Sequence, residues 1–179
     1  MNRFLIIVLL LFATIEVSAQ TAFKYKHEIN VMNFGLGTSN KQAMLMDLEY
    51  PSGYSQRIGE SRWRWGVSSG LLANPAERFW DGDIPTEYLG SLYLYLLGYV
   101  DYALTSKKHT AWFLRGGIAP SLQVDMWGTY NEKKASALAQ LGTGLDVGRW
   151  FRVSLIGFTS MYGEVGYLIS YSFSWRWGK

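Results

Sequence analysis

The sequence predicts an all-β fold: an eight-stranded antiparallel up-and-down transmembrane β-barrel that follows a cleaved signal peptide. Three features predict it. Apolar and polar residues alternate along most of the chain, turn residues divide the alternation into about eight lengths of roughly 9–16 residues, and aromatic rings gather at the ends of those lengths.

Composition sets the class. Only 17% of the 179 residues are charged, against about 25% in an average soluble domain, so the chain is too apolar to be disordered. It has no cysteine, which excludes disulfide frameworks, thiolate metal sites, thiol nucleophiles and a lipoprotein-type anchor. A net charge of +3 does not point to nucleic acid.

The first segment reads as targeting. Arg3 supplies a positive start, residues 4–12 (FLIIVLLLF) are an unbroken apolar run, and Val17-Ser18-Ala19 places small residues before a cleavage expected after Ala19. The run is shorter than the ~20 residues of a spanning helix. Residues 1–19 are therefore read as the signal peptide and 20–179 as one barrel domain, and removal of the leader leaves the formal charge at +3.

In the barrel domain, residues 26–37 form a first strand with blurred faces. Met44, Met46, Leu48 and Tyr50 then alternate with Asp47 and Glu49, and Trp63, Trp65 and Val67 with Arg62, Arg64 and Ser68. Residues 87–104 are rich in Tyr, Leu and Gly and are again blurred. Trp112, Leu114, Ile118, Leu122, Val124 and Met126 oppose Arg115, Ser121, Gln123 and Asp125. Ala137, Ala139, Leu141, Leu145 and Val147 oppose Gln140 and Asp146, and Phe151, Val153 and Leu155 oppose Arg152 and Ser154. The last strand is the cleanest: Ile169, Tyr171, Phe173, Trp175 and Trp177 on one face, Ser170, Ser172, Ser174 and Arg176 on the other. Turn chemistry falls at Thr38-Ser39-Asn40, Pro51-Ser52-Gly53, Asn74-Pro75, Asp81-Gly82-Asp83, Ser106-Lys107-Lys108, Tyr130-Asn131-Glu132 and Tyr162-Gly163.

Alternation alone fits either a soluble barrel or sandwich, apolar face inward, or a membrane barrel, apolar face outward. Strand length favours the membrane, which needs about 9–11 tilted residues against the usual 5–6. So do Tyr50, Trp63, Trp112, Trp127, Tyr130, Trp150, Trp175 and Trp177 near strand ends, where girdles meet the headgroups. The polar face carries Glu49, Glu87, Asp101, Asp125 and Asp146 with Arg62, Arg64, Arg115, Arg152 and Arg176. An eight-stranded barrel is filled by side chains, so those charges are expected to pair inside it. Gly90, Gly98, Gly116, Gly117, Gly142, Gly144 and Gly148 are placed within strands, and Pro120 predicts a bulge or strand end.

With these strands, the glycine-aromatic segments Trp112-Phe113-Leu114-Arg115-Gly116-Gly117 and Leu141-Gly142-Thr143-Gly144-Leu145, and the closing strand, the chain resembles the small outer-membrane β-barrel proteins, the OmpA/OmpX-like and porin-family barrels of Gram-negative bacteria. The resemblance implies residence in the cell outer membrane, contact with outer-membrane lipid and lipopolysaccharide, and insertion by the barrel-assembly machinery with both termini periplasmic. Family members usually end on an aromatic residue, whereas here Gly178-Lys179 follow Trp177. On this topology the turns at 106–109 and 149–150 are periplasmic and short, loops 73–86 and 127–135 extracellular, and segment 51–60 a periplasmic loop. The two extracellular loops are the expected surfaces for an extracellular or periplasmic protein partner.

No catalytic, cofactor or metal site emerges, and the expected function is structural or surface-interactive, without catalysis. Gly66-Val67-Ser68-Ser69-Gly70 spells G-x-S-x-G, but a nucleophile elbow needs a strand-turn-helix. Only His27 and His109 offer imidazole bases. His27, beside Glu28, leaves open a membrane-embedded lipid A deacylase or acyltransferase, which uses a Ser with a His and an acid. The remaining alternative is a secreted, lipocalin-like binding barrel. Two histidines without cysteine do not make a zinc site, and Asp81-Gly82-Asp83 lacks the further ligands of a calcium loop. Lys107-Lys108 and Lys133-Lys134 are too small a footprint for nucleic acid, so none is expected as a partner.

Overall fold

The computed structural model describes residues 23–40, 44–49, 53–75, 88–107, 110–127 and 131–178. The signal peptide, Tyr50, Asp81-Gly82-Asp83, Glu87, Lys108, His109 and Tyr130 lie outside the described residues.

Nine strand segments follow one another: β1 His27–Ser39, β2 Leu45–Glu49, β3 Gly53–Arg57, β4 Trp63–Pro75, β5 Tyr88–Lys107, β6 Thr110–Trp127, β7 Asn131–Val147, β8 Phe151–Ser160 and β9 Val165–Trp177. Every neighbouring pair is antiparallel, and β1 pairs with β9, which closes the sheet. Since β2 and β3 both lie between β1 and β4, they form one interrupted strand, and the barrel has eight.

The interruption corrects the reading of the second strand. From Leu48 to Gly53 the chain advances five residues while its partner β4 advances three, from Leu71 back to Ser68. Gly53, expected in a turn, is instead strand, paired with Asn30 of β1 and Ser68 of β4, while Pro51 and Ser52 lie outside the described residues. Segment 51–60 is accordingly not a long periplasmic loop: Gly53–Arg57 is strand, and the turn occupies residues 58–62. Loop 127–135 is corrected similarly, because β6 runs to Trp127 and β7 starts at Asn131.

Pro120 produces neither a bulge nor a strand end. It sits within β6, paired in register with Ala137 of β7, and the register against β5 is the same on either side of it. The ladder to β5 lapses only between Gly98–Ile118 and Tyr95–Ser121, where proline has no N–H to donate. The bulges of β5 lie elsewhere, between Tyr88 and Gly90 and between Ala103 and Thr105. Gly148 belongs to the turn after β7, with φ 62°.

The outer wall is apolar. Ile29, Phe34, Leu36, Trp65, Val67, Leu94, Leu96, Val100, Ile118, Leu141, Leu155, Ile169 and Phe173 all point out and are exposed. The buried face carries the charges instead, including Glu28, Asp47, Arg64, Asp101, Asp146, Arg152 and Arg176. A soluble barrel would place these two sets the other way round, whereas lipid outside and a filled interior require this arrangement.

At the end holding both termini, the outer wall becomes aromatic. Trp63 lies 4.8 Å from Tyr102, Trp150 5.1 Å from Trp175, and Tyr54 5.9 Å from Trp65, centroid to centroid. Such a belt suits the headgroup level, where an amphipathic ring meets both lipid and water.

Candidate functional site

The blurred strand β5 supplies the axis of the interior. Ser91, Tyr93, Tyr95, Leu97, Tyr99, Asp101 and Ala103 are all buried and share one parity, while Leu94, Leu96 and Val100 face outward. Tyr93, Tyr95 and Tyr99 thus line the lumen, while Tyr102 of the same strand faces out into the aromatic belt beside Trp63. The parity of Ser91 and Asp101, the two plainly polar members, is the signal that fixes their side.

At the terminal end of that axis lies an arginine-carboxylate network. Strand register builds it: Asp101 is the cross-strand partner of Arg64 on β4 and of Arg115 on β6, Asp146 of Arg152, and Glu28 of Arg176. Arg64 reaches across the lumen, its Nη1 donating to Glu28 Oε2 at 2.7 Å and Asp146 Oδ2 at 3.0 Å, and its Nη2 to Asp101 Oδ2 at 2.6 Å. Arg115 grips Asp101 in a fork, Nε to Oδ1 at 2.8 Å and Nη2 to Oδ2 at 3.1 Å. Arg152 donates to Asp146 at 2.6 Å and to Glu28 at 2.7 Å, and Arg176 to Asp146 at 2.9 Å. Buried charges are tolerable only when paired and hydrogen-bonded like this.

Below the network, the chain before β1 turns into the barrel mouth. Phe23 is buried against Phe113, its ring 4.1 Å from the Arg64 guanidinium carbon, and Arg57 Nη1 donates to the Phe23 carbonyl at 2.6 Å. Phe23 stoppers the mouth.

Above it, Tyr99 lies under the Arg115 guanidinium at 3.8 Å. Tyr99 and Tyr95 also explain the G-x-S-x-G segment, which stays within β4. Gly66 and Gly70 are their cross-strand partners, and a Cβ on either glycine would collide with the facing ring. The glycines are the floors on which two tyrosines lie, and Ser68 between them donates to Glu49 at 3.4 Å.

Farther along the axis sits a different arrangement. Asp47 and Glu49 are buried together, and the Tyr95 hydroxyl lies 2.8 Å from Asp47 Oδ1 and 2.8 Å from Glu49 Oε1. Asn33 Nδ2 donates to Asp47 Oδ2 at 3.3 Å. Neither carboxylate forms an ion pair with a described cation. Toward the far end, Asp125 accepts from Ser91 at 2.7 Å, Gln123 at 2.6 Å and Lys134 at 3.1 Å, and Glu164 accepts from Tyr93 at 2.8 Å. Side chains therefore occupy the lumen from one end to the other.

Of the expected interior charges, Glu49, Asp101, Asp125, Asp146, Arg64, Arg115, Arg152 and Arg176 are buried. Arg62 is not part of the network: it sits in the turn before β4, where its carbonyl accepts from Ala103 N–H. Glu28, Arg57 and Glu164 join the interior, although sequence reasoning did not place them there.

His27 and Glu28 lie on opposite faces, as strand neighbours must. His27 points into the aromatic belt, stacked on Trp177 at 5.4 Å with Nδ1 2.7 Å from the Tyr54 hydroxyl, while Glu28 is inside among arginines. The His27–Glu28 pairing that a Ser-His-acid enzyme would draw on is not formed. No group of three or more His, Cys, Asp and Glu able to hold a metal occurs among the described residues.

A closed, eight-stranded, up-and-down barrel with an apolar wall and a charged interior is the fold of the small outer-membrane β-barrel proteins. Neisserial surface protein A (NspA) has this fold: it superposes with a TM-score of 0.56 at 8% identity, over 86% of this chain and 97% of that one. The N-terminal β-barrel domain of Pseudomonas aeruginosa OprF gives a TM-score of 0.48 at 11% identity, over 84% of this chain and 98% of that one. The attachment invasion locus protein Ail of Yersinia pestis gives 0.45 at 7% identity, over 84% and 97%. No protein-family model and no curated protein matches the sequence.

Proposed function

We propose that this chain resides in the outer membrane of a Gram-negative cell as a non-conducting barrel with a structural or surface-interaction role and no catalysis. The observation that carries this reading is the sidedness of the wall: apolar residues face out along every strand, while ion pairs fill the interior. A filled lumen leaves the rims and loops as the surfaces that can recognise anything. The segment between β4 and β5, residues 76–87, is the longest connection between strands. It is the surface assigned to a protein partner.

The reading also requires contact with outer-membrane lipid and lipopolysaccharide, and insertion by the barrel-assembly machinery. Membrane fractionation followed by electrophoresis of boiled and unboiled protein tests it. Detergent-requiring protein whose mobility shifts on boiling is expected, and planar bilayers containing it should show no steady conductance. A soluble protein without a shift would refute membrane residence, and stable open channels would refute the closed lumen.

A further inference from the structure

We infer that the rim at the chain termini is a docking surface for anionic phospholipid headgroups, an inference that rests on the membrane reading above. The described turn segments at this rim, residues 23–26, 58–62 and 148–150, carry Lys24, Lys26, Arg62 and Arg149, and Glu60 is their one acid. Lys24, Lys26 and Arg149 are exposed, and none is ion-paired to a described carboxylate.

At the opposite rim the described residues are mixed: Lys134 is committed to Asp125 at 3.1 Å and Glu132 at 3.0 Å, and Lys133 is exposed beside Glu132. Among the described turn residues, the terminal rim carries the larger excess of cations, Lys24, Lys26, Arg62 and Arg149 against Glu60.

That charge also stands at a defined height. Trp63, Trp112, Trp150 and Trp175, each about half exposed, mark the belt just inside it. Lys24 Nζ and Arg149 Cζ both lie over the Tyr25 ring, at 5.5 and 5.6 Å, which holds two cations from different segments together beside the belt. Rings at the headgroup level with unpaired cations next to them match a layer of phosphates. Basic residues beside a membrane are drawn to anionic lipid within a Debye length of the surface. A ring of cations around a barrel mouth fits a bilayer surface better than the groove or strip that a nucleic acid or peptide would need.

The test is refolding of the full chain from urea into vesicles of phosphatidylcholine, with or without about three tenths phosphatidylglycerol, the folded fraction being read from the boiling-dependent mobility shift. Folding is expected to be at least roughly fivefold faster with the anionic lipid, and the gain should vanish in about 0.5 M NaCl. The triple variant K24Q/K26Q/R149Q should fold as wild type in phosphatidylcholine and lose most of the gain, whereas K133Q/K134Q at the other rim should keep it. Equal rates in the two vesicles, or a triple variant that retains the full gain, would overturn the inference while leaving the membrane reading intact. Glycerol phosphate added to phosphatidylcholine vesicles should do nothing; if it reproduced the gain, a free anion and not a bilayer surface would be the ligand. Failure to fold in either vesicle would overturn the membrane reading itself.

Discussion

The barrel buries acids at two stations and stabilises them in different ways. At the terminal end, Glu28, Asp101 and Asp146 share four arginines, and each carboxylate accepts from at least two of them. At the middle station, Asp47 and Glu49 share one tyrosine hydroxyl, an asparagine and a serine, all neutral. The first station is strong in Coulomb terms but brittle, because each arginine that leaves strands acids in a low dielectric. The second has no cation to lose among the described residues, and its difficulty is a shortage of hydrogens: one hydroxyl proton faces two carboxylate oxygens.

Arg64 should reveal the brittleness most clearly, since it alone bridges β1, β5 and β7. Arg64→Leu is expected to destabilise the barrel by about 3–5 kcal/mol, the cost of leaving buried charges uncompensated. Urea unfolding in vesicles measures it, and a midpoint within error of wild type would mean the network contributes little. Arg115→Leu should cost less, about 2–3 kcal/mol, because Asp101 keeps both of its bonds to Arg64. A loss equal to that of Arg64→Leu would show that the network responds as one unit and not contact by contact.

Gly66 and Gly70 extend the comparison from charges to packing, because each is the floor for the tyrosine of one station. Gly66→Ala must push Tyr99 away from its place beneath Arg115, so about 2 kcal/mol of overpacking cost is expected. The double variant Gly66→Ala with Arg115→Leu checks the linkage: a cost well below the sum of the two singles is expected, and full additivity would mean that ring and guanidinium are independent.

These pairings mark the boundary of what the sequence made legible. Strand period and the outward face of β4, β6, β8 and β9 were readable, because there apolar and polar residues differ sharply from one position to the next. Strand β5 was not, since Leu and Tyr both count as apolar and only Ser91 and Asp101 carried the phase. Turn residues misled about where strands end, for one reason. Thr38-Ser39, Asn74-Pro75 and Asn131-Glu132 have turn chemistry, but β1, β4 and β7 include them because cross-strand hydrogen bonds outweigh local preference. Opposed arginines and acids were readable as a class. Which acid meets which arginine depends on register and closure, for example Glu28 with Arg176 across the β1–β9 seam, and neither is written in local sequence. Phe23 was invisible for another reason: a lone ring ahead of the first strand carries no periodicity.

The smallest expected effect is at the middle station, and its sign decides whether hydrogen count governs there. Tyr95 can donate to Asp47 or to Glu49, but not to both at once. In Asp47→Asn, the new amide can donate to the tyrosine oxygen while the hydroxyl donates to Glu49, which satisfies the chain in one direction. The amide oxygen still accepts from Asn33. Removing a buried charge that has no cation should therefore leave stability unchanged or raise it, by up to about 1 kcal/mol. A clear rise in the urea midpoint, set beside the large fall for Arg64→Leu, would establish that the two stations obey different rules. A fall of the same size in both would mean that Asp47 feels the arginines through the wall of tyrosines between them, and that the interior is electrostatically one station.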